Sequence, residues 1–202
     1  MKSTMEIGKE RTERILLSLD KLGFLSRSQI QEMHDLKSDR NAQRVLKNMR
    51  KYLNVERLEE NVYYLNKTGR SYIGSDKVYT KSQQIRHILL RNQLYIYLKC
   101  PTHWDIEKEV ILNGKFYVKP DVLFTTDRLY FAEIDVTQKM SVNKAKIEQY
   151  ARMKDTKMFH VEYGYFPKLI WVTKTKVKKE RLIQLCREKG LQHVVYTQAD
   201  IT

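Results

Sequence analysis

The sequence predicts an α/β protein, α+β overall, built in two parts: three helices and a hairpin, then a mixed sheet flanked by helices. Three observations predict this. Apolar residues recur at helical spacing three times before residue 54 and then give way to two short strand-like runs. Beyond residue 83, strand-like and helix-like segments alternate. Between them lies "GSDKVYTKS", Gly74 to Ser82, which is polar and has no helical stripe.

In the first part, "ERTERILLSLDKLGFL" sets Ile15, Leu16, Leu19 and Leu22 on one helical face, and Gly23 is placed to stop it. "SRSQIQEMHDL" opens a second helix behind Ser26 or Ser28, with Ile30, Met33 and Leu36 turned inward. "SDRNAQRVLKNMRKYL" opens a third behind the N-cap Ser38 and buries Ala42, Val45, Leu46, Met49 and Leu53. "VERLEENVYYLNKTG" reads as a hairpin around Glu59-Glu60-Asn61. Helix, helix, helix, hairpin is the order of a winged helix-turn-helix, expected over residues 1–75.

The second part, residues 80–202, begins with "KSQQIRHILLRNQLYIYLK", a long helix ended by Pro101. Three strands are expected in "WDIEKEVIL", "FYVKPDVLF" and "LYFAEIDV". A helix follows in "SVNKAKIEQYARMKD", capped by Ser141, then the strand "KLIWVT". "KVKKERLIQLCREKG" is a helix stopped by Gly190, and "HVVYT" is a last strand.

Charge narrows the function. The chain holds 38 Lys+Arg against 24 Asp+Glu, a formal +14, and the excess is spread over both parts. A polyanion partner, foremost double-stranded DNA, is implied. No run approaches the ~18 apolar residues of a membrane span, and "MKSTMEIGKERTER" has no apolar signal core. No membrane association and a cytoplasmic location are therefore expected. Cys100 and Cys186 fit no metal or redox spacing and read as reduced thiols. Some of the 13 tyrosines are available for a self-association surface, so a homodimer is a further candidate partner.

Opposite the apolar face of the third helix run Arg40, Arg44, Lys47 and Lys51, with Gln43 and Asn48 beside them. A helix lying in the major groove needs this division between a packed face and a basic one. Arg reads guanine, and Gln or Asn reads adenine, through paired hydrogen bonds. A solvated amphipathic helix has the same pattern. A second cluster, Lys174, Lys176, Lys178, Lys179 and Arg181, suits phosphates or a solvated helix start. From it Lys176, Lys178 and Lys179 are taken as DNA contacts.

The strand "LYFAEIDV" carries Glu133 and Asp135 two apart, hence on one face, with Ala132, Ile134 and Val136 on the other. Asp121 lies on the preceding strand. A three-residue loop, Thr126 to Arg128, would set Asp121 opposite Glu133. Carboxylates so placed repel unless a cation intervenes, and Mg²⁺ takes such hard oxygen ligands. Asp121, Glu133 and Asp135 are therefore the candidate metal ligands. Glu107 and Glu109 are candidates for a further acid, and His87, with Arg91 one turn later, for a helical contribution.

The run "KPDVLF…FAEID" is similar to the PD-(D/E)xK nuclease superfamily, whose motif has an Asp on one strand and (D/E)-x-K on the next. The order αβββαβ agrees with the core of that superfamily. More narrowly, a winged helix followed by "PDV…FAEIDVTQ…KIEQYARM" resembles the replication-relaxation family of plasmids and related mobile elements, over most of the chain. The resemblance implies Mg²⁺ ligation by Asp121 and Glu133, with a Lys orienting or activating the attacking water. This chain has Asp135 where that Lys stands, and a carboxylate cannot stabilise a developing negative charge as an ammonium does. Lys146 is the candidate replacement, with Tyr150 one turn on, where many relatives present a Gln and a Tyr to the site. Lys139 and Lys144 are the other nearby cations. The expected catalytic set is thus Asp121, Glu133, Asp135 and Lys146. Three functions follow: a DNA-binding protein of a mobile element whose nuclease-like domain has lost its Lys, a Mg²⁺-dependent nickase, or a transcriptional regulator.

Overall fold

The computed structural model describes residues 3–80 and 84–202. Lys81, Ser82 and Gln83, where the expected seam meets the expected long helix, lie outside the described residues. The chain is mixed α/β and divides into two compact units, Met1–Ile96 and Tyr97–Thr202.

The first unit opens with α1 (Thr4–Leu22), β1 (Leu25–Ser26), α2 (Arg27–Met33) and α3 (Asp39–Asn48). A 3-10 turn (Arg50–Tyr52), β2 (Leu53–Arg57), β3 (Asn61–Leu65) and α4 (Lys67–Ile73) follow. The three strands form one antiparallel sheet in the order β1-β3-β2. Ile15, Leu16, Leu19 and Leu22 of α1 are buried as their spacing requires. Each fully buried side chain of this kind contributes about 1.5–3 kcal/mol. Ile30 and Leu36 are buried too, whereas Met33 is only half-buried. Ser26 and Ser38 cap α2 and α3 through their side chains. Gly69 brings α4 against the 3-10 turn: a Cβ there would stand 2.3 Å from the Tyr52 carbonyl oxygen.

The long helix, α5 (Ile85–Tyr97), was expected to open the second part but falls almost wholly in the first unit. The reason is hydrogen bonding at the end of α1, whose last carbonyls lack intrahelical partners. Buried Asn92 donates to the Leu22 and Phe24 carbonyls, and Arg91 donates to Leu22 as well. Gln29 of α2 donates to the Leu89 carbonyl.

The second unit contains β4 (His103–Ile106), β5 (Val110–Leu112), β6 (Lys115–Val118), β7 (Val122–Thr125) and β8 (Leu129–Asp135). Then come α6 (Met140–Asp155), α7 (Met158–Tyr163), β9 (Lys168–Thr173), α8 (Lys176–Glu188) and β10 (His193–Thr197). The five-stranded sheet runs β10-β9-β8-β7-β4, antiparallel across β4-β7-β8 and parallel across β8-β9-β10. Two of the three expected strands are broken, so five appear. Ile106 pairs with Val122 and Val110 with Val118, one continuous hairpin register interrupted between those pairs. Glu107, with φ 51°, turns the chain out on one side. On the other, Pro120 has no N–H to give the ladder. The helix after β8 is N-capped two residues earlier than expected, at Lys139, with no side-chain cap hydrogen bond; Ser141 lies inside it.

Candidate functional site

Strand β8 is central in its sheet, and Phe131 through Asp135 are all buried. A carboxylate is costly in such a place unless donors surround it. Glu133 and Asp135 share the face that α6 and α8 cover, with Phe131, Ile147, Tyr150, Trp171, Leu182 and Cys186 in the core around them. The connection from β7 to β8 is the three residues Thr126–Arg128. The ladder pairs Val122 with Ala132, and one step further in that register sets Asp121 opposite Glu133.

Each acid has its own donors. Asp121 accepts at Oδ2 from the Ile134 N–H at 2.6 Å. Glu133 accepts at Oε2 from Lys146 Nζ and at Oε1 from the Tyr150 hydroxyl, both at 2.5 Å. Asp135 accepts from Lys178 Nζ, 2.9 Å from both oxygens, from the Gln138 N–H at 2.9 Å and from Asn143 Nδ2 at 2.7 Å. Lys178 also donates to the Gln138 carbonyl at 2.7 Å, which fixes the ammonium in place.

The electrostatics follow from burial. Glu133 is pushed up to about 8, first by desolvation and then by the Asp121 carboxylate, against the opposing pull of Lys146 and Tyr150. Burial, followed by the Glu133 charge, holds the Tyr150 phenol well above its usual value.

Asp121, Glu133, Lys146 and Tyr150 are therefore brought together, while Asp135 keeps a separate set of partners. The oxygens expected to hold a metal accept instead from ammonium, phenol, amide and backbone N–H groups. Among the described residues, no three His, Cys, Asp or Glu side chains gather in a group suited to a metal ion. Glu107 does not join the acids: it pairs with Lys119 at 3.3 Å on the exposed hairpin. Arg91 is committed to the Leu22 carbonyl in the first unit. Lys139 and Lys144 are exposed.

Lys178, expected as a phosphate contact, is the cation of Asp135. Lys179 pairs with Asp200 at 2.8 Å, and Lys176 is exposed. Sequence spacing does not connect Lys178 to a carboxylate 43 positions earlier. A topological signal does exist, since α8 follows the strand parallel to β8, so its first turn lies at the edge where Asp135 sits. Asn143 was missed as well. It projects from the first turn of α6, the helix that leaves β8, and its Oδ1 has no partner among the described residues.

In the first unit, α3 presents the division read from its spacing. Ala42, Val45 and Leu46 are buried, while Arg40, Gln43, Arg44, Lys47 and Asn48 are exposed, and Lys51 is exposed just beyond. Arg44 donates to Asn41 Oδ1 at 2.8 Å, and Lys51 Nζ stands 4.8 Å from the centre of the Tyr52 ring.

A helical first unit with a small antiparallel sheet, followed by a mixed sheet with acids on its central strand, defines a two-unit α/β protein of basic charge. The model of the replication-relaxation family matches residues 16–169, so the chain belongs to that family. No curated protein and no solved structure matches it. No described helix is long and apolar enough to cross a membrane.

Proposed function

We propose that the chain binds double-stranded DNA in the replication or relaxation of a plasmid or other mobile element. In this reading the first unit is a winged helix that places α3 in the major groove. The second is a PD-(D/E)xK-like domain that has lost its motif Lys. The observation that carries the reading is the exposed row Arg40, Arg44 and Lys47 on α3, flanked by Gln43 and Asn48 and backed by a buried apolar face. The charge of +14 supports it. Titration of labelled duplex DNA at increasing salt is the test. Neutralising about 6–10 phosphates makes affinity fall ~10³–10⁵-fold between about 50 and 200 mM salt. Absent binding at low salt, or a flat salt dependence, overturns the reading.

A second reading, a Mg²⁺-dependent endonuclease, is favoured by one observation: Asp121 and Glu133 stand opposite each other beside Lys146. As arranged, the donor set fits a metal poorly, because Lys146 and Lys178 already occupy oxygens of the two β8 acids. Incubation of supercoiled plasmid with Mg²⁺ or Mn²⁺ separates the readings. Nicked product that disappears in Asp121→Ala favours the enzyme; intact plasmid favours the binding protein.

A further inference from the structure

A groove in the first unit runs from the N-terminal half of α1 to the end of α3. It is lined by Lys9 and Arg11 of α1, Asn48 of α3, Lys51 and Tyr52 of the 3-10 turn, and Tyr72 of α4, among others. Three cations and no carboxylate line it among the described residues. The Tyr52 and Tyr72 rings lie 5.0 Å apart, and the Lys51 ammonium sits over the Tyr52 ring. The Nε of Arg11, shielded from solvent, has no hydrogen-bond partner among the described residues. Asn48 and Lys51 belong both to this groove and to the basic row that continues along α3.

We infer that this groove holds the sugar-phosphate backbone of the duplex beside the stretch that α3 reads. The inference rests on the DNA-binding reading and extends it to a second contact surface, made by α1. Lys, Arg and Tyr are the side chains that bind phosphate oxygens without reading sequence. A groove with three positive charges and no opposing carboxylate is complementary to a polyanion. Its continuity with α3 gives one strand a path from the major groove onto α1. Contacts of this kind fix register and add affinity equally on every sequence.

The test uses the full chain and the double variant Lys9→Gln/Arg11→Gln, titrated by anisotropy against labelled duplexes of about 30 base pairs at several salt concentrations. Losing two phosphate contacts at about 0.9 each lowers the slope of log affinity against log salt by about 2. Affinity is expected to fall about tenfold near physiological salt, by the same factor on unrelated sequences. Lys9→Gln/Arg11→Lys, which keeps one of the two charges, restores about half of the slope change. Melting curves verify folding. Should the double variant not fold, Lys9→Gln alone, at an exposed position, carries the test with a slope change of about 1. A wild-type protein that binds no duplex sinks the DNA reading and this inference together. Normal wild-type binding with an unchanged slope in the folded variant sinks the inference alone. So does a loss of affinity without a change of slope, or a change in oligomeric state that accounts for the loss.

Discussion

The ammonium of Lys146 stands 2.5 Å from Glu133 Oε2, while Asp121 lies opposite Glu133 in the strand register. A lysine thus supplies the positive charge that two facing carboxylates require. Removing it by Lys146→Met leaves a buried carboxylate without its cation, at a cost of about 3–5 kcal/mol when the acid is charged. At pH 5 Glu133 already holds a proton, so the cost is small. Urea unfolding at pH 5 and pH 9 is expected to show this difference, and an equal loss at both pH values would contradict it.

Glu133 itself makes stability depend on pH. Its folded value near 8 lies above its ordinary 4.5. The folded state therefore holds the proton more tightly, and the contribution to stability is full below about pH 4.5 and lost as pH rises through 8. The slope reaches at most about 1.4 kcal/mol per pH unit in that window. Glu133→Gln, which cannot ionise, is expected to flatten it. The variant should melt higher than wild type at pH 8.5 and level with it at pH 4.5.

Lys178 and Lys176 differ in what they touch. Lys178→Met strips the cation from Asp135, which is fully buried, and should cost about 3–5 kcal/mol. Lys176→Met changes an exposed side chain and should stay within about 0.5 kcal/mol. Denaturation midpoints of the two variants, compared side by side, provide the measurement.

Both β8 acids already have ammonium partners, so Mg²⁺ is expected to leave the wild-type melting temperature unchanged. A functional site would respond otherwise, gaining ~2.7 kcal/mol at ~100 times its dissociation constant. A metal-dependent rise that disappears in Glu133→Gln would favour the endonuclease reading.

On α3, Arg44→Ala and Lys47→Ala should weaken duplex binding without changing the melting temperature, since both side chains are exposed. A lost base contact costs about 1–3 kcal/mol and relaxes preference at one position. Normal binding by both variants would place recognition elsewhere.

The core of the first unit was legible because its apolar spacing is regular: Ile15, Leu16 and Leu19, and Ala42, Val45 and Leu46, all lie where periodicity puts them. The first turns of α1 were not, because Met5 and Ile7 are exposed and give no stripe; the Ser3–Glu6 capping box was the available signal. Helix α4 was hidden by its length of seven residues and by Gly69, whose value is the close approach to Tyr52. In the second unit, the pairing of Asp121 with Glu133 could be read from the length of the Thr126–Arg128 loop. The cation of Asp135 could not be read from local pattern, because it comes from a helix that follows a different strand.

That separation has a kinetic side. Lys146 closes on Glu133 over 13 positions, whereas Lys178 closes on Asp135 over 43. Loop closure alone makes the second about 1 kcal/mol harder. The longer contact also waits for β9 to be laid down and α8 to dock. During refolding, Asp135 is expected to enter the sheet with only the nearby Asn143 and Gln138 donors, and its lysine arrives last. Amide protection in β8 that matures in two phases, the slower one lengthened by Lys178→Met, would be its signature. The charge at the end of β8 then acts as a checkpoint that the C-terminal third of the chain must clear.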